Sequence, residues 1–236
     1  MNKVMIIISK RRKYMLKDNF LKFKLHSFDK VIISIQKYQS LNFIESVDVS
    51  VNLGININKP DQHVSGMVVL PYGTGRNVKI IVFTKDIDNL LLKELSVDMI
   101  GMEDLVYKIK NGFKDFNLVI ATPESMSMVG TLGSILGPKG LMPNPKLGTV
   151  TNNIVKAVKD AKSGQIRFCN DKNGIIHSMI GKVNFDVFKI KENLRIFLLS
   201  LIKFKPISFK GLYIKKITIS STMGLGYPIK YNDFLS

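Results

Sequence analysis

The residues best suited to chemistry lie near the C-terminal end. Lys216, Thr218, Ser220 and Thr222 share one parity, and Ile217, Ile219 and Met223 share the other. Alternate side chains of a strand point to opposite faces. One face would therefore offer an ammonium and three hydroxyls while the other turns inward. Such groups suit phosphates and ribose hydroxyls, which dominate contacts to folded RNA. Taken alone, they suit a plain solvated strand face equally well.

Other constellations are poorer. Ser221 and Thr222 have no His at useful spacing, and His26, His63 and His177 lie far apart. Asp171, Asp186 and Glu192 stand among lysines, as solvated or paired charges would. Cys169 is the only cysteine, which excludes an intrachain disulfide and fits a reducing compartment. No Cys/His/Asp cluster has metal-ligand spacing. The expectation is a binding protein with no catalytic residues, no metal and no cofactor.

Two glycine motifs invite a phosphate reading. Tyr72-Gly73-Thr74-Gly75-Arg76 follows a strand, but it lacks the third Gly of a dinucleotide fingerprint and the Gly-Lys-Ser/Thr of a P-loop. It reads as a turn between domains. Gly137-Pro138-Lys139-Gly140 has the G-x-x-G spacing of a KH domain, but Pro138, Pro143 and Pro145 forbid the helix that should follow. That segment reads as an ordered loop.

The elements that must position these groups follow from apolar periodicity. Phe43 to Ile55 alternates as a half-buried strand: Val47, Val49, Val51 and Leu53 on one face, Ser46, Asp48, Ser50 and Asn52 on the other. A short strand spans Met67 to Leu70. Val78 to Phe83 is almost wholly apolar, as strands covered on both faces are. Helices at Asp88–Leu95 and Glu103–Lys110 alternate with apolar runs at Val97–Ile100 and Leu118–Ala121, which predicts a small parallel α/β domain. A helix from Asn152 to about Lys162, N-capped by Thr151, closes it. Beyond Gly164, Gln165–Asn170 and Ile175–Ile180 flank Asp171-Lys172-Asn173-Gly174, a hairpin signal. An amphipathic helix carrying Ile190, Leu194, Phe197, Leu198, Leu201 and Ile202 follows and ends before Pro206. The last strand is Leu212 to Ser221.

This order predicts an α/β domain at 73–163 inserted into an α+β domain built from 1–72 and 164–236. Charge follows the same division. The chain of 236 residues has 35 Lys plus Arg against 18 Asp plus Glu, leaving +17. Residues 1–72 hold 11 basic and 5 acidic groups, 73–163 hold 12 and 9, and 164–236 hold 12 and 4. The two outer segments thus carry +14 of the excess, and a polyanion would meet them first. No apolar run reaches the roughly 18 residues that span a bilayer. At the start, Val4 to Ile8 is too short for a signal peptide, and its basic cluster Lys10 to Lys13 follows instead of preceding it.

Several stretches resemble the ribosomal protein L-one family of the large subunit, in its bacterial form. They are Glu45-Ser46-Val47-Asp48-Val49 with Asn52-Leu53-Gly54-Ile55, Leu70 to Arg76, Leu136 to Lys146 running on to Gly148-Thr149-Val150-Thr151, Asn170 to His177, and Ser221-Thr222-Met223-Gly224. The resemblance covers about Arg11 to Gly226 and is weakest over the first forty residues. It implies a discontinuous RNA-binding domain with an inserted Rossmann-like, three-layer α/β domain. It also implies binding to large-subunit rRNA at the mobile side stalk, contact with exit-site tRNA and its release, and repression of its own operon through a messenger leader. RNA contacts carry over to Phe43, Ser46, Asp171, Lys172, Lys216, Thr222, Met223 and Gly224. Tyr72 stands where His is common in the family, and Lys216 where a small hydroxyl is common. The implied protein is a monomer when free, cytoplasmic and ribosomal (in a bacterium or an organelle), with no membrane partner. The competing expectation is a nucleotide-using enzyme on the inserted domain, revealed by magnesium-dependent nucleotide binding at Gly73–Arg76.

Overall fold

The computed structural model describes residues 25–39, 42–85, 97–145 and 148–234. The strands are β1 (Ser46–Leu53), β2 (Ser65–Val69), β3 (Ile80–Phe83), β4 (Met99–Gly101), β5 (Leu118–Ala121), β6 (Gln165–Cys169), β7 (Ile175–Lys182), β8 (Ile214–Ser221) and β9 (Tyr227–Ile229). The helices are α1 (Phe28–Lys37), α2 (Glu103–Lys110), α3 (Met126–Gly130), α4 (Gly133–Leu136), α5 (Ile154–Lys162) and α6 (Val187–Lys203). The expected helix at Asp88–Leu95, the segment Val4 to Lys13 and Lys146 lie outside the described residues. The chain forms two compact units. One runs to Thr74 and resumes at Phe168; the other is Gly75–Arg167.

In the first unit the alternation of β1 decides the architecture. Val47, Val49 and Val51 are fully buried and Leu53 nearly so, while the intervening residues stay half-exposed. A strand with one wet face belongs to a sheet covered on one side only. That sheet has the order β7-β1-β8-β9, antiparallel throughout. On the covered side α1 lies against β8 and β9, α6 lies against β7 and β2, and the two helices touch each other. Phe28, Val31, Ile32 and Ile35 of α1 recur at helical spacing, as do Ile190, Leu194, Phe197 and Leu201 of α6, and all are buried. Ile202, expected in this stripe, stays 38% exposed in the last helical turn.

A polar residue takes part in that stripe. Asn193 is completely buried, accepts from the Tyr72 N–H at 3.2 Å, and donates to the Gly73 carbonyl at 3.0 Å and the Ile180 carbonyl at 2.9 Å. The amide satisfies three backbone groups that no regular ladder reaches. Gly73 closes the local turn by donating to the Leu70 carbonyl at 3.1 Å, and Gly73 and Gly75 both take positive φ (62° and 69°), which explains two glycines in five residues. The segment turns and runs towards β3 without opening a helix.

The second unit has three layers. β4, β3 and β5 are parallel, and Val150 extends the sheet through a parallel bridge to Ala121. Ile81 and Phe83 of β3 face Leu105 and Ile109 of α2 with Val129, Leu132 and Leu136. Ile80 and Val82 face the other way, onto Ile154, Val158 and Ala161 of α5. Both faces of β3 are covered, so all four of its residues are apolar. The helix α5 is capped by Asn153, whose side chain accepts from the Lys156 N–H at 3.1 Å. Thr151, the expected cap, instead accepts from the Asn153 N–H. The two compete for one helix start, and the residue nearer the first turn prevails. The proline-rich segment forms an ordered turn after α4, with Gly140 at φ 67°.

A further expectation is overturned. Asp171–Gly174 does form a tight turn, with Gly174 at φ 73°, yet the strands it joins are not a hairpin. β6 pairs with β2 in a separate two-stranded sheet and β7 pairs with β1, leaving a single Asn170–Ile176 bridge between them. Local turn chemistry fixes the reversal, and pairing is then decided by partners more than a hundred residues away. Among the described residues, no helix is long and apolar enough to cross a membrane, and no group of three or more His, Cys, Asp or Glu could hold a metal ion.

Replacing Asn193 with Ala would strand the Tyr72 N–H and the Gly73 and Ile180 carbonyls inside the first unit. The unfolding free energy is expected to fall by about 2–4 kcal/mol in a urea titration. A loss below about 0.5 kcal/mol would show that these groups find other partners.

Candidate nucleic-acid interface

The open face of the four-stranded sheet is set by register. Residues directly opposite one another in an antiparallel pair point to the same side. In β1 and β8 this aligns Asp48 with Ser220, Ser50 with Thr218, and Asn52 with Lys216. Across β1 on the other edge stand Lys182 opposite Ser46, Met179 opposite Asp48, and His177 opposite Ser50. A bulge between Val47 and Asp48 keeps this parity in step with β7. The outcome is a strip of hydroxyls and an amide with Lys182 near one corner and Lys216 near the opposite one. At ~3.3 Å per residue it extends about 20 Å from Ser46 to Asn52.

One end of the strip is locked by a reciprocal pair. The Ser46 N–H donates to Thr222 Oγ1 at 3.0 Å, and the Thr222 N–H donates to the Ser46 carbonyl at 3.2 Å. Thr222 Oγ1 thereby acts as an acceptor within the fold, which leaves its hydrogen to be given outward. Met223 and Gly224 continue the same turn, closed by the Gly224 N–H on the Ser221 carbonyl at 3.0 Å. A Cβ at Gly224 would stand 2.3 Å from Ser221 Oγ, so only glycine fits unless Ser221 moves. Met223 is 68% exposed, and Phe43, three residues before Ser46, is 49% exposed. Apolar side chains at an otherwise polar rim are available for stacking or packing on a partner.

At the other end Asp171 caps its own turn. One carboxylate oxygen, Oδ1, accepts from the Asn173 and Ile175 N–H groups, both at 2.8 Å. The Ile175 and Asn173 amides hold this carboxyl below its usual pKa, assisted by the nearby His177. Lys172, beside it, projects from the exposed turn. His177 ties this turn to the strip: Nδ1 lies 3.0 Å from Ser50 Oγ, and Nε2 lies 3.6 Å from Asp171 Oδ2. Asp48 is the acid in the middle of the face. Burial pushes its carboxyl pKa up, and Lys182 pulls against that.

The structure thus places Ser46, Thr222, Met223 and Gly224 together, with Phe43 just upstream in the chain. It places Lys216 at the far end opposite Asn52, and it connects Asp171 and Lys172 to the face through His177. Sequence parity marked Ser50 as wet but attached no role to it, and His177 was passed over. Neither could be found without the β1–β7 register. Counted over the two units, the first holds 22 basic and 9 acidic residues and the second 13 and 9. The excess charge therefore resides mainly in the unit that carries this face.

Comparison with known proteins agrees with the resemblance. The family described as Ribosomal protein L1p/L10e matches residues 35–225. A large ribosomal subunit protein uL1 from Photobacterium profundum is 50% identical over 216 residues, covering 92% of this chain and 93% of that one. A uL1 protein of Haemophilus influenzae is 52% identical over 206 residues, covering 87% and 90%. That of Aliivibrio salmonicida is 53% identical over 203 residues, covering 86% and 87%. Half of all positions agree over nearly the whole length of both partners, and the chain belongs to the ribosomal protein L1p/L10e family.

Proposed function

We propose that this chain is a structural constituent of the large ribosomal subunit that binds large-subunit rRNA through the open face of its four-stranded sheet. In this reading the chain ends, 1–72 and 164–236, form the RNA-binding domain, and 73–163 is the inserted α/β domain. The observation that carries it is the reciprocal Ser46–Thr222 pair. It ties the start of β1 to the residue after β8 and sets the Thr222 hydroxyl next to an exposed methionine and a closed backbone turn. Phosphate contacts from Lys172 and Lys216 supply affinity, while Phe43, Ser46, Asp171, Thr222, Met223 and Gly224 fit the shape of a folded junction. No part of this requires catalysis. Family resemblance extends the proposal further, to the mobile side stalk, to exit-site tRNA and its release, and to a messenger leader with the same RNA shape.

Two measurements test the proposal. Thr222→Ala and Met223→Ala should each weaken binding of a side-stalk rRNA fragment by about 1–3 kcal/mol in filter-binding or calorimetric titration. Undiminished affinity in both would move the contact elsewhere. Affinity should also fall steeply with salt, and Lys172→Ala and Lys216→Ala should each reduce the log–log salt slope by about 1, since each removes about one phosphate contact. An unchanged slope in both variants would place the phosphate contacts on other lysines.

A further inference from the structure

Asp171 beside His177 bears on the direction of the Ser50–His177 hydrogen bond. Asp171 is itself immobilised by two backbone N–H groups, and its second oxygen faces His177 Nε2 at 3.6 Å. A carboxylate beside Nε2 favours the neutral tautomer that carries its hydrogen there. Nδ1 is then a bare lone pair, and its partner among the described residues is Ser50 Oγ at 3.0 Å. In that tautomer Ser50 donates its single hydrogen to Nδ1. What it presents outward is lone pairs alone.

Thr222 differs from this in having a hydrogen to give. The Ser46 N–H occupies one lone pair of its oxygen, so its hydrogen remains to be given outward beside a second lone pair. The strip thus carries a donor at Thr222 and, about 13 Å along β1, an acceptor at Ser50. An acceptor-only hydroxyl gains nothing from a phosphate oxygen, which also brings only lone pairs. It needs a partner with a hydrogen to give. In folded RNA most base donors are engaged in pairing, whereas the 2′-hydroxyls are displayed along the shallow minor groove.

Resting on the RNA-binding reading of this face, we propose that Ser50, polarised by His177 and Asp171, accepts a hydrogen bond from a ribose 2′-hydroxyl. Ser50 is the specificity-determining contact, and His177 and Asp171 are positioning residues. At this point of the strip the protein distinguishes RNA from DNA by what the sugar can donate, and the polarity is set by a tautomer. The lysines at the corners attract either polymer equally.

The test uses the full chain at about pH 8. Nitrogen-15 NMR of the free protein should find His177 protonated at Nε2 and bare at Nδ1; the reverse tautomer overturns the proposal. A side-stalk fragment of large-subunit rRNA is then scanned with single 2′-deoxy substitutions. One ribose should weaken binding about fivefold, the scale of one neutral hydrogen bond. That penalty should vanish in Ser50→Ala, persist in Ser50→Thr, and narrow in His177→Ala, which frees the serine hydrogen. A penalty that persists in Ser50→Ala, or no sensitive ribose at all in an otherwise normal complex, overturns the inference while leaving rRNA binding intact. An unchanged penalty in His177→Ala would strip the histidine of its role. If the unmodified fragment does not bind at all, the proposed function itself fails, and this inference with it.

Discussion

Strand β1 has to find both of its neighbours on the far side of a long detour. Ser50 meets His177 across 127 positions, and Ser46 meets Thr222 across 176. Closing a flexible loop of that length costs about 4–5 kcal/mol beyond a constant, because the penalty grows only with the logarithm of length. The detour is not flexible throughout. Residues from Gly75 to Arg167 form a unit of their own, with β3 flanked by β4 and β5. Once that unit has folded, the chain to be closed is far shorter than its residue count. Everything proposed for the open face depends on this closure, since neither chain end contains the face by itself.

Closure is held by two different kinds of interaction. On the covered side, Val47, Val49 and Val51 are wholly out of water, together with the apolar stripes of α1 and α6. That burial supplies most of the driving force. Burial forbids a slip of one residue, which would turn the valines outward, but a slip of two residues would leave them inside. Polar contacts define the register: Ser46 with Thr222 and Ser50 with His177. The same bonds that fix the register also orient the groups on the wet face. In the proposed reading, structure and recognition share one set of contacts.

Much of the fold was legible in the residues. The parity of β1 and β8 is a property of adjacent positions, so it can be read from the chain. So can the all-apolar β3 and β5 and the helix at Glu103–Lys110, where Glu103 and Asp104 at its start and Lys108 and Lys110 at its end oppose the helix dipole. What could not be read is what depends on distant partners. Asn-Gly promised a hairpin, but β6 is drawn to β2 and β7 to β1. Asn193 looks like a surface residue until its stripe is seen to meet backbone groups with no ladder. For the site, Thr222 and Lys216 were legible from parity, and Met223 and Gly224 only from family likeness. His177 was not legible, because its neighbour Ser50 comes from a strand 127 residues away.

The central claim is that a folded RNA covers the wet face of the β7-β1-β8-β9 sheet. Amide and side-chain NMR shifts of the full chain, followed as a side-stalk rRNA fragment is added, test it most directly. The account expects the largest changes at Ser46, Ser50, His177, Lys216, Thr222 and Met223, with the valines beneath them and the helices α1 and α6 little affected. Changes confined to Gly75–Arg167, or to the helical side of the sheet, would contradict it.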